Sequence, residues 1–576
     1  MELVDVPNVS KCLNIVSINL EGCEKLVEVP SYFENLHKLT YLDLRGCPRL
    51  KSLPAVIPSN LEFLLLGTYG SDFSALPSSI WSHEKLVELD LKGFYRIENL
   101  PNSIWRLYSL TSLDFSGTSI EGLPSSIECL SRVVSIRLRG CDKLVSLPTS
   151  ICKLKSLKKL ELYGCRIFKF FPEILEPMEC LEVLNLCGTE ITELHKSIGT
   201  LVGLKKLNLA YCKTLVSVPD SICKLNRLEA FRLDGCPKLK KLPFSSSFIL
   251  WSSISNLELG GCTSLEEIPD GLMICLTSLT SLVIWNCQRL QSLTELPCRL
   301  RILDVDGCTN LRVVSFTMAA VTQGLDQLWD AHYPGETEEK YSFRSCINLE
   351  ENAKNNIIDN AQLRIMRMAT AYSKRKQINH EFKNVSWFDE YYSVGIVYPG
   401  NEIPPWFRYQ TEGSSITIKL PVDPSHTNTN FWQMCLCAVL TIDEDEDGDW
   451  FRYIRQYIHP KCKSNFTTNN SDSSQFNITM PELSELDYGK LDYISLDQSE
   501  VFMWYLADWS THVSNASEAS FEFYLDGEDL NHIKVKRCGV CFLYSQGQDV
   551  VAVYQDVGEP KLEQVISRND EASGSV

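Results

Sequence analysis

The sequence predicts an α/β solenoid with a parallel β-sheet on its concave face, as in a horseshoe, followed by a β-sandwich domain. Three observations lead to this fold class. An apolar residue followed by proline recurs at steps of mostly 23 or 24 residues, and a fixed leucine pattern fills each step. Beyond about residue 390, short alternating β runs replace that period. A chain of 576 residues is also too long for one hydrophobic core, so at least two domains are expected.

The repeat is LxxLxLxxCxxLxxLP, and about 13 copies end with the one that contains Val305 and Cys308. One copy reads Leu39, Leu42, Leu44, Cys47, Leu50, Leu53 and Pro54. A single repeat cannot bury its own leucines, whereas stacked repeats align their LxL segments and share one core. The pattern resembles the leucine-rich-repeat family. His195 stands where one proline is due, so the period does not slip there.

Many of the 23 cysteines occupy one repeat position, directly after the predicted strand. A small buried thiol at this turn can donate a weak hydrogen bond to a loop carbonyl. The total number of cysteines is odd, and many of them share one repeat position. Both observations indicate reduced, structural thiols rather than disulfides or a metal site. The cysteines of this position are Cys23, Cys47, Cys141, Cys165, Cys212, Cys236, Cys262, Cys287 and Cys308.

Side chains alternate across a strand, so the residues that flank the LxL leucines are predicted to face the concave surface. Aromatic and arginine side chains in such a row suit protein binding, because these residue types dominate interface hot spots. A solvated sheet face is the alternative. The candidate binding residues are Tyr41, Arg45, Arg137, Arg139, Tyr163, Arg232 and Trp285.

The patterns predict five segments. These are a solenoid over residues 1–316, a linker over 317–345, a docking helix over 346–372, a β-sandwich over 390–556 and a flexible tail over 557–576. Asn348 with Glu351 predicts the helix start, and apolar residues at helical spacing follow. Because residues 3–7 match the tail of a repeat, we expect the chain to be a fragment or truncated product of a longer protein.

The second domain carries a distinctive segment, YPGNEIPPWF, at residues 398–407, together with GSSI at 413–416 and VKRCGV at 535–540. These segments resemble the C-terminal jelly-roll and Ig-like domain, or C-JID, of plant TIR-type NLR immune receptors. We interpret the motif residues as structural, with a rigid rim loop from which Trp406 and Phe407 pack inward. The motif residues are Pro399, Gly400, Glu402, Ile403, Pro404, Trp406, Phe407, Cys538 and Gly539.

This resemblance implies a non-catalytic region that recognises a pathogen effector protein and controls nucleotide-binding (NB-ARC) and TIR domains. The sequence contains no GxxxxGK(S/T), no HExxH and no other convergent catalytic set, so no cofactor or metal is expected. The CxxC at 538–541 lies in a β run, and the acidic run at 443–449 lacks the pattern of a calcium loop.

The expected partners are an effector and either the NB-ARC/TIR part of a longer receptor or another NLR. The net charge of −18 disfavours nucleic acid and membrane insertion, and no apolar run could cross a bilayer. Without an export signal we expect a cytoplasmic protein that could also enter the nucleus. The alternative function is a truncated adaptor or decoy that pairs with a full-length NLR receptor.

Overall fold

The computed structural model describes residues 3–68, 76–243, 251–269, 271–317, 337–381, 392–420, 432–442, 459–468, 473–481, 499–507, 516–525, 533–546 and 549–552. The chain divides into two compact units. The repeat unit comprises residues 1–300 and 308–311, and the sandwich unit comprises residues 301–307 and 312–576. The predicted tail and the acidic run at 443–449 lie outside the described residues.

The repeat unit contains a ladder of three-residue parallel strands, one per repeat. Each strand pairs in register with the next, so that Leu42 lies opposite Leu64, and Leu160 opposite Leu184. The predicted parallel sheet is therefore confirmed. The strands are β1 (Ser17–Asn19), β2 (Tyr41–Asp43), β3 (Phe63–Leu65), β4 (Glu88–Asp90), β5 (Ser112–Asp114), β6 (Ser135–Arg137), β7 (Lys159–Glu161), β8 (Val183–Asn185), β9 (Lys206–Asn208), β10 (Ala230–Arg232), β11 (Asn256–Glu258) and β12 (Ser281–Val283), followed by β13 (Ser292–Leu296).

Short 3-10 turns return the chain from one strand to the next. Proline directly precedes most of them in an extended conformation, with φ of −60° and ψ of 143° at Pro30, and it has no N–H to leave unpaired. His195 replaces proline at one turn, where its ring accepts a hydrogen bond from Ser197 N. The turns span Ser31–Asn35, Ser78–Ser82, Asn102–Arg106, Ser125–Cys129, Thr149–Lys153, Lys196–Thr200 and Asp220–Lys224, and one short helix, α1, spans Leu272–Cys275.

The repeat leucines and cysteines form one continuous interior. Leu39, Leu42 and Leu44 are at most 1% exposed. The cysteine at the turn donates its S–H to the carbonyl of the residue that directly follows the strand of the preceding repeat, as in Cys165 Sγ to Leu138 O at 2.9 Å. This is the weak donor role predicted for these thiols. Burying each leucine stabilises the fold by roughly 1.5 to 3 kcal/mol before entropy is counted.

In the described residues of the sandwich unit, two β-sheets form the sandwich. Its strands are β14 (Ile302–Asp304), β15 (Val313–Phe316), β16 (Thr337–Ser342), β17 (Tyr392–Pro399), β18 (Tyr409–Glu412), β19 (Ser415–Lys419), β20 (Trp432–Ile442), β21 (Lys461–Thr468), β22 (Ser473–Thr479), β23 (Glu500–Leu506), β24 (Ala516–Tyr524), β25 (Ile533–Gln546) and β26 (Asp549–Ala552). One helix, α2, spans Glu351–Glu381.

Among the described strands, the first sheet has the order β14-β16-β17-β23-β20-β25-β18, with β26 also paired to β25, and the second has the order β19-β24-β21-β22. Strand β15 belongs to neither sheet. Apolar side chains from both sheets share one core, which includes Leu436, Trp504 and Val540 from the first sheet and Phe521 and Phe466 from the second. The β-sandwich prediction is compatible with this arrangement.

The predicted linker 317–345 is wrong at its end, because residues 337–342 form strand β16. This strand pairs in parallel with β14, with Tyr341 opposite Leu303. Cys346 Sγ donates to Val305 O at 3.2 Å, as the repeat cysteines do. Residues 341–349 therefore repeat the leucine pattern, with tyrosine and phenylalanine at the inward positions.

Helix α2 begins at Glu351 and extends to Glu381, later at both ends than the predicted 346–372. Its predicted apolar stripe is buried: Leu349, Ala353, Ile357, Ala361, Ile365 and Ala369 are each at most 6% exposed. Glu339 of β16 is also buried and pairs with Arg364, at 2.9 Å, and with Arg367 of this helix. The guanidinium of Arg364 also lies 4.4 Å from the ring centroid of Tyr341.

Candidate protein-binding surface

The strand ladder β1–β12 presents three side-chain positions per repeat to one face. These are the first and third residues of each strand and the second residue after it, as in Tyr41, Asp43 and Arg45. We call this set the concave array. The leucines between these positions point the opposite way into the core, because side chains alternate along a strand.

Tyr41 and Arg45 are organised around a buried carboxylate. Asp43 accepts hydrogen bonds from Tyr41 Oη at 3.0 Å and from Arg45 Nη2 at 2.7 Å, and its side chain is fully buried. Burial by itself raises the pKa of Asp43, but the hydrogen bonds from Arg45 and Tyr41 outweigh it and lower that pKa below its usual value. Asp43 in turn raises the pKa of Arg45.

Arg137, Arg139 and Tyr163 lie together in the middle of the array. Arg139 Nη2 is 2.6 Å from Glu161 Oε2, whereas Arg137 Nε is 3.9 Å from the same oxygen. The Tyr163 side chain follows strand β7 and is 53% exposed. Two arginines thus share one carboxylate beside an exposed aromatic ring, which suits contact with a protein.

Arg232 lies between two acidic side chains. Its Nε is 2.8 Å from Glu258 Oε2 and 3.4 Å from Asp234 Oδ1. Burial raises the pKa of both carboxyl groups, and the nearby Arg232 opposes that shift. The Arg232 side chain remains 40% exposed.

Trp285 differs from its prediction, because it is only 7% exposed and is not an anchor that projects to solvent. Its indole lies over Gly260 and Gly261 of the preceding repeat. A Cβ on Gly260 would come within 2.1 Å of Trp285 Nε1. The two glycines leave space that the indole fills, so the tryptophan packs along the array instead of facing a ligand.

The structure adds a feature that the candidate residues did not include. A depression of about 320 Å³ lies on the array and is lined by Arg45, Gly67, Glu88, Asp90, Lys92, Asp114 and Arg137. Asp90 and Asp114 occupy the same position of adjacent strands and are register partners. The Leu-Asp pairs that end β4 and β5 do not by themselves identify this depression, because the same pair ends β2.

The motif residues of the second domain lie in the sandwich unit. Pro399 ends β17, Gly400 N donates to Ser499 O at 2.9 Å, and Glu402 is exposed. Trp406 and Phe407 are buried, with ring centroids 4.1 Å apart. Ile403 and Pro404 are also buried, and a Cβ on Gly539 would lie 3.0 Å from the Ile403 side chain.

The thiols of the CxxC segment do not converge. Cys538 belongs to the core between the two sheets, whereas Cys541 is outside that core and opposes Cys435 in the strand register. Burial raises the pKa of Cys538 and of Cys541 to about 12 each, which disfavours the reactive thiolate.

Among the described residues, no group of three or more His, Cys, Asp or Glu side chains could hold a metal ion. In that same part of the chain, no helix is both long and apolar enough to span a membrane.

Residues 89–306 match the leucine-rich repeat region family, and residues 398–549 match the C-JID domain family. The chain is 30% identical over 337 residues to the disease resistance-like protein DSC1 of Arabidopsis thaliana, covering 56% of this chain and 25% of that protein. It is 28% identical over 356 residues to the disease resistance protein RPP2B of the same plant, covering 55% and 27%. The chain thus spans about a quarter of the length of these relatives.

A solved leucine-rich-repeat protein of Leptospira interrogans aligns with 62% of this chain and 98% of its own, at 19% identity and a TM-score of 0.38. The family matches cover two separate ranges, and both agree with the parallel ladder and the buried motif loop described above. The chain accordingly contains a leucine-rich repeat region and a C-JID domain, and it is similar to disease resistance proteins of Arabidopsis thaliana.

Proposed function

We propose that this chain is the ligand-sensing region of an intracellular plant immune receptor, and that it binds a pathogen effector protein. The concave array and the loops of the C-JID domain would each contribute to recognition, and the region itself would be non-catalytic. We place it in the cytoplasm, with the nucleus as a second compartment. Its further partner would be an NB-ARC/TIR region or another NLR.

The observation that carries this proposal is the array of exposed arginine and aromatic side chains on a preformed sheet. Arg139 and Tyr163 are more than half exposed, and Arg232 is 40% exposed. A rigid sheet holds these side chains in fixed positions, so less conformational entropy is lost when a partner binds. Their residue types are those that dominate protein-protein hot spots.

The test is co-precipitation of the full chain with a panel of pathogen effectors in plant cells. The test variants are Arg139→Ala and Tyr163→Ala. Tyr108→Ala is the matched control, because Tyr108 is 46% exposed but follows the 3-10 turn Asn102–Arg106, outside the array. The proposal predicts that an effector is captured, that the array variants lose it, and that the control retains it. Capture of no effector, or equal loss in all three variants, would contradict it.

A further inference from the structure

The sign of the charge changes along the concave array. Strands β4 and β5 contribute Glu88, Asp90 and Asp114 against one cation, Lys92, whereas the next two repeats contribute Arg137, Arg139 and Lys159 against one carboxylate, Glu161. Asp90, Asp114 and Arg137 are successive register partners in the parallel sheet. Neighbouring strands are about 4.8 Å apart, so acidic and basic groups adjoin within about 5 to 10 Å.

The acidic group differs from the other carboxylates of the array in its pairing. Asp43, Glu161 and Glu258 each lie within 2.8 Å of an arginine nitrogen. In the described part of the chain, Glu88, Asp90 and Asp114 form no ion pair within 4.0 Å. Asp90 Oδ1 and Asp114 Oδ1 instead accept the backbone N–H of Lys92 and Ser116, each at 2.9 Å.

The local packing keeps these two carboxylates at the depression. Asp90 leans over Gly67, where a Cβ would come within 2.6 Å of Asp90 Oδ2. The depression of about 320 Å³ is at the lower end of the usual range for ligand sites and can hold a side chain. Burial, and then the neighbouring Asp114, raise the pKa of Asp90, while the backbone N–H of Lys92 and the nearby Arg45 oppose this shift without cancelling it. A further cation between the two carboxylates would favour their charged forms.

Of the two arginines in the basic group, Arg137 has the weaker ion pair. Among the described residues its ion pair is the 3.9 Å contact with Glu161, whereas Arg139 contacts the same carboxylate through both Nε and Nη2. Arg137 also lines the depression. Its guanidinium is therefore the natural site for an anionic group next to the bound cation.

We propose that the protein partner docks a segment here that places an arginine or lysine side chain between Asp90 and Asp114 and an acidic side chain on Arg137. This inference rests on the proposed function and specifies the chemistry of the partner. The two charges of the segment would be separated by about 5 to 10 Å, as the strand spacing dictates. Charge complementarity of this kind sets the register and the specificity of an interface.

The proposal is tested with random dodecapeptides displayed on phage and selected on the purified full chain. Selected peptides are then measured against Asp90→Asn/Asp114→Asn and against Arg137→Gln. Glu518→Gln/Glu522→Gln is the matched control, because it removes two exposed carboxylates from the outer face of the second sheet. Circular dichroism and the melting temperature establish that each variant is folded.

Selected peptides should contain both a basic and an acidic residue. Their affinity should fall at least about tenfold in Asp90→Asn/Asp114→Asn and about threefold in Arg137→Gln, while the control stays within about twofold. An equal loss in the control would reveal an effect of net charge and overturn the proposal. So would the absence of any selected peptide that depends on Asp90 and Asp114.

The inference and the proposed function can fail separately. If an effector held by the wild-type chain is lost by Tyr163→Ala but retained by Asp90→Asn/Asp114→Asn, the docking proposal is wrong and the sensing function stands. If neither variant loses the effector, the concave array is not the binding surface.

Discussion

The two units differ in how far apart in the chain their paired strands lie. In the repeat unit each strand pairs with the strand of the next repeat, so that Ser112 lies beside Ser135. In the sandwich unit, Ser393 pairs with Leu506, more than 100 residues away in the chain. Local pairing leaves a period in the sequence, whereas distant pairing leaves only alternation within each strand. The repeat unit should therefore respond locally to a substitution, whereas the sandwich unit depends on contacts between segments that are far apart in the chain.

The largest expected effect is the loss of the buried ion cluster in the sandwich unit. Glu339→Ala leaves Arg364 and Arg367 buried without their carboxylate and should reduce the free energy of unfolding by about 3 to 5 kcal/mol. Urea denaturation measures this change. The control is Glu412→Gln, whose carboxylate pairs with Arg537 at 2.7 Å but is 71% exposed. That control should cost at most about 1 kcal/mol.

Equal effects of the two substitutions would show that Glu339 does not stabilise the link between β16 and α2. A large effect of Glu412→Gln alone would contradict the expectation that the buried Glu339 cluster stabilises the sandwich unit more than the exposed Glu412–Arg537 pair does.

An intermediate effect is expected where adjacent repeats approach most closely. In Gly203→Ala, the added Cβ would lie 1.9 Å from the backbone oxygen of Glu179, so the stacking of two repeats must shift. The expected cost is about 1 to 3 kcal/mol. Hydrogen exchange should show the loosening confined to neighbouring repeats, because each repeat contacts mainly its neighbours.

Gly122→Ala is the matched control for this substitution, since its added Cβ would meet Ser146 O at an ordinary 3.7 Å. It should change the unfolding free energy by less than about 0.5 kcal/mol. Loosening that spreads through the whole repeat unit in Gly203→Ala would mean that the ladder does not respond locally.

The smallest effect concerns the pH dependence of the Asp43 cluster. Since hydrogen bonds lower the pKa of Asp43 in the folded protein, its contribution to stability is present above the unfolded value of about 3.9 and is lost as pH falls through the folded value. Because asparagine keeps one acceptor oxygen, Asp43→Asn should cost about 0.5 to 1.5 kcal/mol at pH 7 and less at acidic pH. Asp142→Asn is the matched control, because its side chain is 70% exposed, and it should cost less than about 0.5 kcal/mol. A cost of Asp43→Asn that is constant with pH would contradict the hydrogen-bonded cluster.

The sequence was sufficient to predict the ladder, since Leu42, Leu44 and Cys47 recur with a constant spacing and a constant chemistry. The leucine pattern did not predict the additional repeat at residues 341–349, because Tyr341 and Phe343 replace leucine there and the long interval after Cys308 breaks the period. The signal was present in the spacing of Tyr341, Phe343, Cys346 and Leu349, but it required a search for apolar residues instead of leucine.

The candidate surface was predictable in its position but not in its details. Alternation places Trp285 on the array, but its burial depends on Gly260 and Gly261, which belong to another repeat. Likewise, Asp90 and Asp114 look like the other charged array residues until their ion pairs are compared. Packing between repeats and the choice of ionic partner are tertiary properties, and a one-dimensional pattern does not contain them.

The most direct test of the central claim is hydrogen exchange of the full chain with and without a captured effector. We expect increased protection in the segments that carry the array from Glu88 to Tyr163 and unchanged exchange in the 3-10 turns Asn102–Arg106 and Ser125–Cys129. Protection confined to those turns, with the array unchanged, would contradict the claim that this sheet face recognises the partner.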